Sequence, residues 1–275
     1  MDLYLKDKVA IVTGSGRGIG GAIAKTLANE GVRVCVNDIF EERANETMSA
    51  IKSGGGHAMA NAADVTIREE VDTMVQEVVD EWGTVHILVN NAGIPARLGE
   101  EVAQGGGSDS GVGGQGSGGG FFSDTPTNVW SSVMDIITYG VLNCTQSCLQ
   151  HMLRQEYGSI VSFISDAGRV GEPRLATYSM AKGGVMAFSK ALAKEVGRFK
   201  INVNCVSPGA TLTPALAGSP VGGAGADPRG QERFQALLRQ YQLVGGCSAS
   251  ASPRTSRTPS HSWSRIGRNG LRAKL

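Results

Sequence analysis

The chain has 275 residues, enough for one α/β domain of roughly 200–250 residues with a sizeable core. Its 26 lysines and arginines nearly balance 25 aspartates and glutamates, so no global field draws it to nucleic acid or to an acidic membrane surface, and a small-molecule partner is expected. The opening MDLYLKDKVAIVTGSG lacks the apolar core of a secretory signal, no run approaches the roughly 18 apolar residues of a membrane span, and five cysteines with four scattered histidines offer no disulfide framework and no ligand spacing. Reduced thiols, no metal site and a cytoplasmic location are therefore expected.

Along the chain, short β-branched runs alternate with segments of helical period. A strand at Val9–Thr13 precedes a helix over Ala22–Glu30, a strand Val32–Asn37, a helix Glu41–Ser53 and a weaker strand His57–Asn61. The alternation continues with a helix Ile67–Trp82, a strand Ile87–Asn90, a long helix Val129–Gln155, a strand Ser159–Ile164, a helix Tyr178–Gly197 and a strand Asn202–Ser207. Strand and helix in turn demand a parallel sheet with right-handed crossovers, so the expected fold is α/β, a single doubly wound sheet of the Rossmann type. Two segments break the pattern. Between Gln104 and Gly120 ten of seventeen residues are glycine, which reads as a surface loop inserted into the domain. From Gly245 to Leu275 the chain is basic, serine-rich and poor in apolar residues, so the expected division is a dinucleotide-binding and catalytic domain over 1–244 and a disordered tail over 245–275.

The string Thr13-Gly14-Ser15-Gly16-Arg17-Gly18-Ile19-Gly20 follows the first strand and opens the first helix, where a dinucleotide pyrophosphate needs small residues and free helix N–H groups. Gly14, Ser15, Arg17, Gly18, Ile19 and Gly20 are the candidates for that contact. The second strand ends at Asn37-Asp38, about twenty residues on, where a carboxylate accepts hydrogen bonds from both adenosine ribose hydroxyls and repels a 2′-phosphate. Asp38 therefore favours NAD over NADP, with Arg17 pulling weakly the other way.

With Asp64-Val65 after the third strand, Asn90-Asn91-Ala92-Gly93, Ser165, Tyr178-Ser-Met-Ala-Lys182, and Pro208-Gly209 before Thr213-Pro214, the glycine string resembles the short-chain dehydrogenase/reductase family over roughly Lys8 to Pro214. The resemblance implies an oxidoreductase that moves hydride between NAD(H) and a secondary alcohol or ketone. By the same resemblance Asp64 and Val65 hold the adenine, Asn90 stabilises the sheet beside a cofactor touched by Asn91, Ala92 and Gly93, and Pro208, Gly209 and Thr213 flank the nicotinamide. Tyr178 is then the general acid/base and Ser165 polarises the substrate oxygen. Lys182, four residues on and hence on the same helical face, brings a charge that lowers the phenol pKa and also bonds the cofactor ribose. The string from Ser165 to Gly171 is similar to relatives that act on alicyclic alcohols, hydroxyacyl thioesters or acyl-carrier-protein substrates. A homo-oligomer, dimer or tetramer, is implied too.

The chain departs from the family in two places. Ile137 stands where relatives carry an asparagine whose main-chain carbonyl holds a water linked to the lysine, and Asn143, six residues on, faces elsewhere. A nucleotide-binding homologue without turnover is the alternative this leaves. Relatives also end in a helix and a last strand, for which nothing after Val244 is suitable. One back-translation of Pro253–Lys274, begun one base earlier, reads PEDVANAVAFLVSDRAEWVTGQ, similar to that family segment, which implies a frame change near Gly245–Ser248. The glycine-rich insertion reads equally as a lid over the substrate entrance or as a tolerated surface insertion.

Overall fold

The computed structural model describes residues 3–93 and 121–208. Gln104–Gly120, Gly209, Thr213, the segment after Val244 and the division at that point lie outside the described residues. Six strands form one parallel sheet: β1 (Val9–Val12), β2 (Arg33–Asn37), β3 (His57–Asn61), β4 (Ile87–Asn90), β5 (Gly158–Phe163) and β6 (Ile201–Val206), in the order β3-β2-β1-β4-β5-β6. The helices are α1 (Gly18–Asn29), α2 (Glu41–Ser53), α3 (Arg68–Trp82), α4 (Thr127–Met134), α5 (Gly140–Arg154), α6 (Asp166–Val170) and α7 (Ala176–Val196). The sheet is the doubly wound one expected from the alternation.

The central strands are buried on both faces, which is why β1 (VAIV) and β4 (ILVN) are unbroken apolar runs up to the final asparagine. Ile11 stands beside Cys35 on β2 and Leu88 on β4, and together with Val9 they pack against Val71, Met74 and Val78 of α3 and Cys144, Cys148 and Met152 of α5. On the other face Ala10, Val12, Val34, Val36 and Val89 meet Ala24 and Ala28 of α1 and Ala44 and Ile51 of α2. Burial pushes the Cys35 and Cys144 thiols up to about 12, and Cys148 rises with them, so these three act as small apolar residues.

The chain leaves β1 toward β2 and β3, then returns to β4 on the other side of β1. The carboxyl ends of β1 and β4 consequently diverge into a crevice, the place where open α/β sheets bind ligands. Among the described residues no helix is long and apolar enough to cross a membrane.

Two local features differ from the sequence expectation. The helix expected over Val129–Gln155 is interrupted by a π-helical turn, Asp135–Tyr139, between α4 and α5. Val133, Ile137 and Val141, four apart, all point into a third apolar cluster with Ile164, Ala181 and Val185, and the wider turn keeps that face in register. Gly140 then lets α5 approach the loop after β3, since a Cβ there would lie 2.8 Å from Val65 Cγ2. The second feature is α6, a single turn straight after Ser165, too short to carry an apolar period in sequence.

Candidate active site

The glycine loop is shaped by close approaches. Gly14 has φ +60°, and a Cβ on it would stand 2.9 Å from the Ala92 backbone. A Cβ on Gly20 would overlap the Gly14 carbonyl oxygen, so α1 can enter against the loop only with glycine there. The Thr13 hydroxyl accepts from the N–H groups of Asn91 and Ala92, each at 3.1 Å, and the Asn91 amide donates to the Thr13 and Gly14 carbonyls, each at 2.9 Å. These bonds lock the loop after β1 to the loop after β4. Arg17 is the N-cap of α1 in extended conformation and makes no side-chain cap, so the first N–H groups of the helix face the cleft unclaimed by a capping side chain.

The cleft has a volume of about 670 Å³, within the range of cofactor sites. Gly14, Arg17, Gly18, Ile19, Gly20, Asp38, Asp64, Val65, Asn91, Ala92, Gly93, Tyr178, Lys182 and Pro208 all line it. The sequence candidates from β1, β2, β3, β4, α7 and the end of β6 are thus brought to one crevice, whose glycine walls fit a dinucleotide pyrophosphate.

At one end Asp38 is almost buried, and both carboxylate oxygens are engaged: Oδ2 accepts from the Gly16 N–H at 3.1 Å and Oδ1 from the Phe40 N–H at 3.2 Å. The backbone therefore fixes the anion at the pocket wall. Arg43, which the sequence reading missed, lines the same end with its guanidinium stacked 3.8 Å over the Phe40 ring. The signal was present as an arginine one turn into the helix after the acidic strand end. Asp64 turns its Oδ1 to the Thr66 N–H and hydroxyl, at 2.9 and 2.8 Å, and this holds the loop that presents Val65.

Two sequence candidates play inward roles. Ser15 is fully buried, does not line the cleft, and donates to the Val12 carbonyl at 2.6 Å, because its position in the turn directs the hydroxyl back into β1. Asn90 lies beneath the site, donating to Thr145 at 3.1 Å and Ser162 at 3.3 Å. Asn143 donates to the Val65 carbonyl at 3.0 Å and so braces the pocket wall from α5.

At the other end Ser165 caps α6, its hydroxyl accepting from the Ala167 N–H at 3.3 Å, and it shares a hydrogen bond with the Tyr178 side chain. α6 lies hard against α7, since a Cβ on Gly168 would come within 2.7 Å of the Gly183 nitrogen. That contact sets the serine opposite the tyrosine. Lys182, one helical turn beyond Tyr178, is 5 % exposed and donates to the Phe163 carbonyl at 2.6 Å, with its nitrogen 5.9 Å from the Tyr178 ring centre.

The electrostatics differ from the sequence expectation. Burial raises the Tyr178 phenol above its ordinary value, opposed only in part by the Ser165 hydrogen bond, whereas a lowered value was expected from Lys182. The physical reason lies in the lysine. Desolvation brings its ammonium down to about 8, and one of its three N–H groups is given to the Phe163 carbonyl. Ile137 is 1 % exposed in the apolar cluster against which Tyr178 packs, and brings no polar side chain toward the lysine.

Comparison with known proteins matches residues 8–220 to the family described as short chain dehydrogenase. The chain is 34 % identical over 216 residues to the short-chain reductase protein NovJ of Streptomyces niveus, covering 77 % of this chain and 72 % of that one. It is 36 % identical over 219 residues to the 3-oxoacyl-[acyl-carrier-protein] reductase FabG of Staphylococcus aureus, covering 76 % and 78 %. Among solved structures, NAD+-bound xylitol dehydrogenase superposes with a TM-score of 0.68 at 27 % identity, over 86 % of this chain and 85 % of that one. A variant of the actinorhodin polyketide ketoreductase with NADPH superposes with a TM-score of 0.67 at 35 % identity, over 76 % and 73 %.

Proposed function

The chain belongs to the short chain dehydrogenase family, and on that premise we propose that it is an NAD(H)-dependent oxidoreductase interconverting a ketone and a secondary alcohol, with Ser165, Tyr178 and Lys182 as its catalytic residues. The observation that carries this reading is the placement of Tyr178 and Lys182, with Ser165 hydrogen-bonded to the tyrosine, at one end of a cleft whose other end is the glycine loop and Asp38. When bound, the nicotinamide supplies or accepts the hydride at the substrate carbon. Tyr178 handles the matching proton: in the reducing direction its phenol gives a proton to the carbonyl oxygen, and in the oxidising direction its phenolate takes one from the alcohol. A phenol raised by burial stays protonated at neutral pH, which suits the reducing direction. The Ser165 hydroxyl is placed to donate to the same substrate oxygen as charge develops there. Lys182, buried beneath the phenol, supports the cofactor ribose and the charge on Tyr178.

The oxygen-bearing carbon of the substrate belongs in the mouth between α6, α7 and the π-helical turn, whose Ile136 also lines the cleft. A 3-oxoacyl group on an acyl carrier protein or a polyketide ketone is the substrate class that the similarity to FabG and to the polyketide ketoreductase supports. Asp38, held by two backbone N–H groups, supports NAD(H). A second reading, NADP(H), is favoured by Arg17 and Arg43, which line the same cleft as Asp38 and whose guanidiniums are the groups that would pair with a 2′-phosphate.

The deciding experiment is steady-state turnover with NAD(H) and NADP(H) against linear and cyclic ketones, 3-oxoacyl thioesters and the corresponding alcohols, for the wild type and Tyr178→Phe. Turnover lost by a factor of about 10²–10⁴ in the variant, with dinucleotide affinity kept, is the expected result. Dinucleotide binding without turnover in the wild type would instead identify a non-catalytic nucleotide-binding homologue.

A further inference from the structure

The pairing of β5 with β6 runs from Gly158 beside Ile201 to Phe163 beside Val206, and its last rung is the Ile164 N–H donating to the Val206 carbonyl at 2.9 Å. Past that rung the two chains part. One becomes the turn Ser165-Asp166 that opens α6, and the other becomes Ser207-Pro208. Each carries a residue of the site, since Ser165 shares a hydrogen bond with Tyr178 and Pro208 lines the cleft. The strand ladder therefore ends just before the place where the spacing of the two loops bears on the chemistry.

A side chain takes over from the ladder there. Asp166 Oδ1 accepts from the Ser207 hydroxyl at 2.9 Å, across 41 positions of sequence, and the same oxygen accepts from the Arg169 guanidinium at 2.7 Å. One carboxylate oxygen has lone pairs for both donors. Arg169 lies three residues along α6, so it steadies the carboxylate from within its own helix, while Ser207 brings in the second loop. Ser165 is in extended backbone, φ −151° and ψ 155°, so its side chain and that of Asp166 leave the chain in different directions, one to Tyr178 and the other to Ser207. On its far side α6 is already fixed by Gly168 against Gly183 of α7. With that contact alone the turn has one anchor, and the bond from Ser207 gives it a second.

We propose that Asp166 is a positioning residue of the site, which through Ser207 ties the turn carrying Ser165 to the loop carrying Pro208 and so holds the serine hydroxyl at a fixed place relative to the cofactor wall. Its catalytic consequence rests on the reading of Ser165 as the group that polarises the substrate oxygen. Asp166 acts through the serine and touches neither substrate nor cofactor. Its side chain and that of Arg169 are 38 % and 54 % exposed, so the tie adds little to stability. Its worth lies in geometry, because a reacting group displaced by about 1 Å loses as much as 10²-fold in rate.

The test removes the tie from the Ser207 side, which leaves the carboxylate and Arg169 in place. Ser207→Ala should lower kcat by about tenfold with KM for the dinucleotide within about threefold and Tm within about 2 °C of the wild type. Ser207→Thr keeps the hydroxyl and should recover kcat to within about threefold, and Asp166→Ala combined with Ser207→Ala should fall no further than the worse single variant. An unchanged kcat in Ser207→Ala, or single losses that multiply in the double variant, would overturn the proposal. Hydrogen exchange reads the tie without turnover. The amides of Ala167, Gly168 and Gly171, bonded to the Ser165 hydroxyl, the Ser165 carbonyl and the Ala167 carbonyl, should exchange at least about threefold faster in Ser207→Ala. Equal exchange overturns the tie whether or not the protein turns over a substrate. Faster exchange in a protein that reduces no ketone upholds the tie and counts against the catalytic reading alone.

Discussion

Lys182 provides a direct test of the site's electrostatics. Its ammonium falls from the ordinary 10.5 to about 8 through desolvation. The folded state therefore holds the proton less tightly than the unfolded state, and below pH 8 it carries a buried charge that costs about 3 kcal/mol. Lys182→Met removes that cost and also the hydrogen bond to the Phe163 carbonyl, a loss of about 1 kcal/mol. At pH 7 the variant should be more stable than the wild type by about 2 kcal/mol, or about 4–8 °C in Tm for a domain of this size. Because the folded value is the depressed one, the penalty is complete below about 8 and vanishes as pH rises toward 10.5. The advantage of the variant must shrink over the same window. Urea unfolding of both proteins at pH 7, 8, 9 and 10 measures this. A difference that is constant across the series, or a variant less stable at pH 7, would refute the account of a desolvated charge.

Alcohol oxidation should rise with pH into the alkaline range while ketone reduction stays level through neutrality, because the raised Tyr178 phenol is protonated at pH 7; pH–rate profiles in both directions check this. Asp38→Asn removes the anion held by Gly16 and Phe40 and should shift kcat/KM toward NADPH by about tenfold or more, read as the NADPH to NADH ratio with one substrate. Gly20→Ala forces a Cβ onto the Gly14 carbonyl and should cost about 1–3 kcal/mol of stability, with dinucleotide affinity falling further than stability, as titration calorimetry would show. Gly168→Ala pushes α6 off α7, and kcat should fall more than cofactor affinity because Ser165 moves and the glycine loop does not.

Much of the architecture was legible along the chain because two-sided burial forces unbroken apolar strands and the helices between them repeat near 3.6 residues. The short helix α6 was not legible, since one turn is too brief to show a period, and neither was the π-helical turn, which arises from Val133, Ile137 and Val141 competing for one apolar cluster. Arg43 and Asn143 were passed over for a different reason. An arginine one turn into the helix after the acidic strand end and an asparagine on a long helix are weak signals along the chain, and only the approach of α2 to the glycine loop and of α5 to Val65 gives them a place.

The sequence by itself determined the order of strands and helices, the glycine loop with its acidic partner twenty residues on, and the tyrosine and lysine one turn apart, because each rests on local spacing. The tertiary structure decided what spacing cannot carry. It turned Ser15 into the core, fixed Asp38 through two backbone N–H groups, joined Ser165 to Tyr178 through the contact of α6 with α7, and directed Lys182 at the Phe163 carbonyl. The physical reason is that a hydrogen-bond partner and a degree of desolvation are properties of the packed surroundings, and these come from segments far apart in the chain.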